Sequence, residues 1–242
     1  PHIVNNSWAC PSVEGCVTGA ELETIVNNAQ AAGIFVVSSA GNSGPACSSV
    51  SSPPATYSAS FSVGSINSSN QLANGSSRGP SNYYDPALLK PNISAPGVSV
   101  RSSVRTSDTS FSTFSGTSMA GPHVAGVIAL LWSADPSLAR DIESTKTILQ
   151  NTATPDVTLS TPQTCGGVSS TEVPNNSFGY GRVDALSAVY ATLPEVQIAG
   201  RAVAPTGFGV RNATVSLIDS GGMIRSTITN ALGYFTFDNV AA

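Results

Sequence analysis

At 242 residues the chain is long enough for one α/β domain of ordinary size with a smaller piece beside it. Charged residues make up 10% and the formal net charge is −4, so nothing marks a nucleic-acid-binding surface. No apolar run reaches the roughly 18 residues that a membrane-crossing helix needs. The chain opens at Pro1 directly in an apolar run, without Met or signal peptide, and so reads as cut from a longer protein; missing targeting signals then carry no weight.

Residues 2–8, HIVNNSW, begin as an apolar strand. Thr18-Gly19-Ala20-Glu21 is a capping-box pattern, in which the two side chains satisfy each other's orphan backbone donors. Leu22, Ile25, Val26 and Ala29 follow at i, i+3, i+4 and i+7, which predicts one buried helical face that Gly33 ends. IFVVSS at 34–39 is a short apolar run of the kind buried in parallel sheets, so strand, helix and strand form a βαβ unit. The Ser-, Asn-, Gly- and Pro-rich stretches 40–60 and 67–97 flank a strand FSVGSI at 61–66. From Ser118 to Ala134 the chain is apolar almost all round, predicting a centrally buried helix. Two more helices are expected at about 137–151 and 181–192.

After Pro194 the composition changes. VQIAGRAVA, ATVSLID, MIRSTIT and YFTFDNV are short β-patterned runs separated by PTG, SGG and ALG turns. Domain 1–193 is therefore α/β and 194–242 a second, all-β domain that also ends abruptly. A piece that small, without cysteines, folds marginally on its own.

The cysteines are Cys10, Cys16, Cys47 and Cys165, an even count in a lysine-poor chain, which suits an exported protein carrying disulfides. Three pairings exist, and joining Cys10 to Cys16 across a short loop leaves Cys47–Cys165 as the long bridge. Four free thiols in a cytosolic protein are the alternative. A zinc site is disfavoured, since neither Cys-x-x-Cys nor paired histidines occur.

Ligands collect at the carboxyl ends of strands in open α/β sheets. Ser7-Trp8-Ala9 ends the first strand, Ala40-Gly41-Asn42 the second, and Ser118 opens the buried helix on the same edge. A helix N-terminus offers unpaired N–H groups to developing negative charge, and an Asn amide adds a second donor. These are the parts of a nucleophile and an oxyanion hole for acyl transfer. His123 is not the base. Five helical residues turn about 500°, leaving it about 140° from Ser118, so it is expected to pack the helix structurally. Pro122 cannot donate to the Ser118 carbonyl.

FSGTSMAGPHVAG at 114–126 resembles the nucleophile motif of the subtilisin-like serine proteases, the subtilases. VVSSAGNSGP (36–45) is similar to their oxyanion-hole segment, and SSRGP (76–80) and KPNISAPG (90–97) to two further segments. VNNSWACPSVEGC (4–16) resembles their substrate-lining edge strand, in the cysteine-containing form of the bacillopeptidase F-like group. The resemblance implies a mostly parallel sheet with helices on both faces and its N-terminal part missing. It also implies Ser118 as nucleophile and Asn42 as oxyanion donor. Ser7, Trp8, Ala9, Ser39, Ala40 and Gly41 would bind substrate, pairing with it as added strands. Ala9 departs from the family's usual glycine, and its methyl is expected to narrow the cleft.

The family's triad order is Asp, His, Ser, and the first two lie upstream of the segment resembling 4–16. The chain alone is thus expected to show little or no activity. The resemblance further implies a secreted or cell-surface protein, polypeptide substrates, an upstream pro-segment and no required cofactor. It allows structural calcium, with no site identifiable here. Residues 195–242 are similar to carboxypeptidase regulatory-like (transthyretin-like) β-sandwich repeats, through Gly200, Asn212-Ala213-x-Val215-x-Leu217, Thr229-Asn230-x-x-Gly233-x-Phe235 and Asn239-Val240. A serine endopeptidase part is the leading functional reading; a non-catalytic subtilase scaffold used for binding is the alternative.

Overall fold

Every residue of β2 (Phe35–Ser39) and β3 (Phe61–Ile66) is buried, so both faces of these strands are covered. In the computed structural model, which describes residues 1–83, 87–193, 195–218 and 223–241, they are the inner strands of an all-parallel sheet. β1 (Ile3–Asn6) flanks β2, and β4 (Ile93–Pro96) flanks β3, in the order β1-β2-β3-β4. Alternate side chains divide between two layers. Phe35, Val37, Phe61, Val63, Ile93 and Ala95 face one cluster. Val36 faces another, with Val26, Tyr57 and Ala59.

Helix α1 (Glu23–Ala31) supplies Val26 to the second layer. The Thr18 N–H and hydroxyl both donate to the Glu21 carboxylate, at 2.8 and 2.9 Å. Those bonds close a turn before the helix rather than its first turn, because Gly19 lies at φ +80°, off the right-handed path. Leu22 and Ala29 pack on the layer as expected, whereas Ile25 is 67% exposed and leaves the predicted face.

Helix α2 (Thr117–Ala134) covers the other side of the sheet through Ala120, Val124, Val127, Ile128, Leu131 and Trp132. Its expected all-round burial is corrected: His123, Gly126, Ala129, Leu130 and Ser133 form an exposed stripe. High mean apolarity could not distinguish this, since Gly and Ala tolerate either side. A hairpin of β5 (Val100–Ser103) and β6 (Phe111–Phe114) leads into α2, with the Arg101 guanidinium 4.2 Å over the Phe111 ring. Sequence patterning did not anticipate it.

The helix expected at 137–151 is split. Pro136–Leu138 is a 3-10 turn, Arg140 turns left-handed (φ +75°), and α3 runs over Ile142–Asn151, capped by the Asp141 carboxylate on the Ser144 N–H. The short strands β7 (Thr164–Cys165) and β8 (Val168–Ser169) form a further hairpin. Helix α4 (Ala185–Tyr190) starts later than expected, because residues 181–183 instead bond Ser94 of β4 through Ser94 N–H to Gly181 O and Val183 N–H to Ser94 O. All four cysteines are paired, Cys10 with Cys16 and Cys47 with Cys165.

The chain divides into two compact units, Pro1–Thr192 and Leu193–Ala242. In the second, β9 (Glu195–Arg201) pairs antiparallel with β12 (Tyr234–Ala241), and β10 (Thr214–Ile218) with β11 (Ile224–Ile228). Phe237 and Val240 are buried, and Phe235 meets Phe237 edge to face. Of the expected turns, SGG at 220–222 lies outside the described residues.

Candidate active site

The carboxyl ends of β1 and β2 and the amino end of α2 meet at one cleft of about 360 Å³. The structure brings all eight residues singled out by sequence to its wall: Ser7, Trp8 and Ala9 after β1, Ser39 through Asn42 at the end of β2, and Ser118 in the first turn of α2. Trp8 is half exposed at the rim. The Ser39 hydroxyl is buried with no partner among the described residues. Pro11, Ser51 and Ser52 add to the wall; sequence reasoning missed them, because a serine-rich loop carries no periodicity to single them out.

Asn42 is oriented from the helix. Its Oδ1 accepts both the Thr117 N–H (3.0 Å) and the Thr117 hydroxyl (3.1 Å), which turns Nδ2 away with both hydrogens unpartnered among the described residues. The Thr117 hydroxyl, wholly buried, accepts the Gly41 N–H at 3.2 Å and spends its own proton on Asn42. Thr117 is thus a residue that orients Asn42 and that the sequence reading passed over, although it sits beside Ser118 in the motif. Ser77 is another: its Oγ accepts the Ser43 N–H (3.0 Å) and its N–H donates to the Gly41 carbonyl (2.9 Å). Together they fix the Gly41–Ser43 backbone that carries Asn42.

Ser118 is half-buried, and its hydroxyl donates to the Ser7 carbonyl at 3.4 Å, a long bond that competes weakly for the proton. Its backbone N–H, at the start of α2, has no partner among the described residues. A free N–H at a helix N-terminus and a free amide at the same cleft favour a developing oxyanion. On its other side Ser118 borders a second recess of about 340 Å³, lined by Arg101, Met119, Pro122 and His123.

His123 corrects the sequence picture in part. Its ring is exposed rather than packed, and Nδ1 is held on the Met119 carbonyl at 2.8 Å. A side chain committed to its own helix backbone is not placed as a base for Ser118.

Lys90, in the KPNISAPG segment, lies away from the cleft and is buried. Its ammonium donates to the Tyr57 and Ser60 carbonyls (2.8 and 2.6 Å) and to Asn92 Oδ1 (3.1 Å). Burial, with a smaller repulsion from Lys146, pushes its pKa down to about 7. Among the described residues no three His, Cys, Asp or Glu side chains converge.

The sequence profile of the subtilase family matches residues 1–181. The chain belongs to the subtilase family. This subtilase is 39% identical over 194 residues to bacillopeptidase F of Bacillus subtilis (strain 168), a match covering 79% of the chain and 12% of that protein. It is 39% identical over 146 residues to subtilisin E of the same organism, covering 58% of the chain and 35% of the relative. The chain therefore spans only a minor part of these relatives' length. In fold it resembles the prenylagaramide maturation protease PagA, with a TM-score of 0.56 at 22% identity, over 78% of this chain and 61% of that one.

Proposed function

We propose that this subtilase chain supplies the nucleophile and oxyanion hole of a secreted serine endopeptidase. The observation that carries the reading is the meeting at one cleft of Ser118, whose N–H has no partner among the described residues, with Asn42, whose Nδ2 has none among them either because Oδ1 is turned to Thr117. Ser118 Oγ attacks the scissile carbonyl and forms the C–O bond of an acyl-enzyme. The Ser118 N–H and Asn42 Nδ2 hold the oxyanion, and the peptide amine leaves with the proton. Water then cleaves the acyl-enzyme. The general base and its aspartate come from outside these 242 residues, which hold just two histidines, His2 and His123.

In this reading Ser7-Trp8-Ala9 and Ser39-Ala40-Gly41 flank the polypeptide substrate as added strands. An upstream pro-segment accompanies the full protein, and no cofactor enters the reaction. Two disulfides support export to an oxidising compartment. Leu193–Ala242 is read as part of a carboxypeptidase regulatory-like β-sandwich module that spaces or attaches the enzyme.

The test is covalent labelling of the full-length protein with a fluorophosphonate. Labelling is expected in the wild type and absent in Ser118→Ala. A natively folded wild type that takes no label refutes the enzyme and leaves the non-catalytic scaffold.

A further inference from the structure

We infer that Ser7 and Asn5 are positioning residues that aim the nucleophile, replacing a hydrogen bond that Pro122 removes from the first turns of α2. The inference rests on the reading of Ser118 as nucleophile.

In an α-helix the carbonyl of residue i accepts the N–H of residue i+4. For Ser118 that residue is Pro122, which has no N–H. The Ser118 carbonyl is nevertheless satisfied, from a residue 111 positions away: Ser7 Oγ donates to it at 2.9 Å. A hydroxyl has one hydrogen, and its direction is set here by Asn5, whose Nδ2 donates to Ser7 Oγ at 2.9 Å. With its oxygen already accepting, Ser7 turns its proton to the Ser118 carbonyl. The Ser118 hydroxyl donates back to the Ser7 carbonyl at 3.4 Å. Each serine therefore bonds the other's backbone, and the peptide group following the nucleophile is held from the edge strand instead of from its own helix.

The contact also depends on Gly121, in the second turn of α2. A Cβ added there would stand 2.7 Å from Asn5 Oδ1, so the glycine is what lets Asn5 approach the helix. Asn5, Ser7, Ser118, Gly121 and Pro122 act as one device. The same strand end that lines the cleft thus sets the tilt of the Ser118 peptide, and with it where Oγ and the N–H point.

A double-mutant cycle on the full-length protein tests this, read as the rate of inactivation by diisopropyl fluorophosphate and as kcat and KM on a peptide substrate. The small phosphofluoridate does not occupy the strand-pairing positions, so its rate reports Ser118 alignment apart from peptide binding. Ser7→Ala is expected to slow inactivation and kcat about fivefold to tenfold, the weight of one neutral hydrogen bond, with KM changed less. Pro122→Ala restores a backbone N–H to the carbonyl, so in that background Ser7→Ala is expected to cost under about twofold. Asn5→Ala should follow Ser7→Ala in direction and add nothing to it. An equal Ser7→Ala effect in both backgrounds, or an effect confined to KM, overturns the inference. A wild type that neither labels nor turns over overturns the enzyme reading itself.

Discussion

The two disulfides close loops of very different length, and that difference carries a quantitative prediction. Cys47 and Cys165 are 118 positions apart, Cys10 and Cys16 only 6. If a cross-link stabilises chiefly by restricting the unfolded chain, the long bridge contributes about 5 kcal/mol and the short one about 2 kcal/mol. In the folded state the long bridge ties the β7–β8 hairpin to the loop after Asn42. The same two segments are also joined by Gln163 Nε2 donating to the Pro45 carbonyl at 2.9 Å. Replacing both cysteines by alanine leaves that contact and much of the native packing in place, so the loss falls on the unfolded state. Guanidinium unfolding followed by tryptophan fluorescence suits the test, since Trp132 is buried in the main core and Trp8 is half exposed. Cys47→Ala/Cys165→Ala should lower the unfolding free energy by about 5 kcal/mol, with a midpoint temperature about 10–20 °C lower. Cys10→Ala/Cys16→Ala should cost less than half as much. Equal costs, or the larger cost at Cys10–Cys16, would refute the loop-entropy reasoning and place the stabilisation in folded-state contacts.

Lys90 gives stability a pH dependence of defined sign. Its pKa is about 7 when folded against 10.5 ordinarily, so between those values the unfolded chain holds more protons and stability rises with pH, by up to ~1.4 kcal/mol per unit. The unfolding free energy of the wild type minus that of Lys90→Met should therefore grow from pH 7 to 10; a flat or falling difference counts against the lowered pKa of the buried amine. Leu131→Ala, at a fully buried core position, is expected to cost about 3 kcal/mol, whereas Ile25→Ala, 67% exposed, should stay within about 0.5 kcal/mol in chemical denaturation. Comparable losses at the two sites would contradict the observed face of α1.

Strong local patterns were legible without a structure. The apolar run at 34–39 and FSVGSI at 61–66 are the inner strands of the sheet, because an element buried on both faces carries only apolar and small residues, here with Ser38, Ser39, Ser62 and Ser65 as its small polar members. The run from Ser118 is α2, within one residue at its start. Weaker patterns misled where backbone geometry competed with periodicity. Gly19 displaced the start of α1, Arg140 split the helix before α3, and bonds to Ser94 kept residues 181–183 extended.

At the site, the residue types were readable and their orientations were not. A serine opening an apolar helix and an asparagine after a buried strand can be picked out by eye. That the Asn42 amide turns its oxygen to Thr117, 75 residues away, depends on the sheet placing β2 beside the start of α2. The Ser7–Ser118 exchange needs β1 at the sheet edge, and Lys90 finds two of its three oxygens, on Tyr57 and Ser60, in a segment 33 and 30 residues away. Periodicity and capping act within a few turns of chain and determine which elements form. Hydrogen bonds between segments a hundred residues apart exist only once packing has fixed those elements against one another, so the tertiary structure alone decided where Ser118 and Asn42 point.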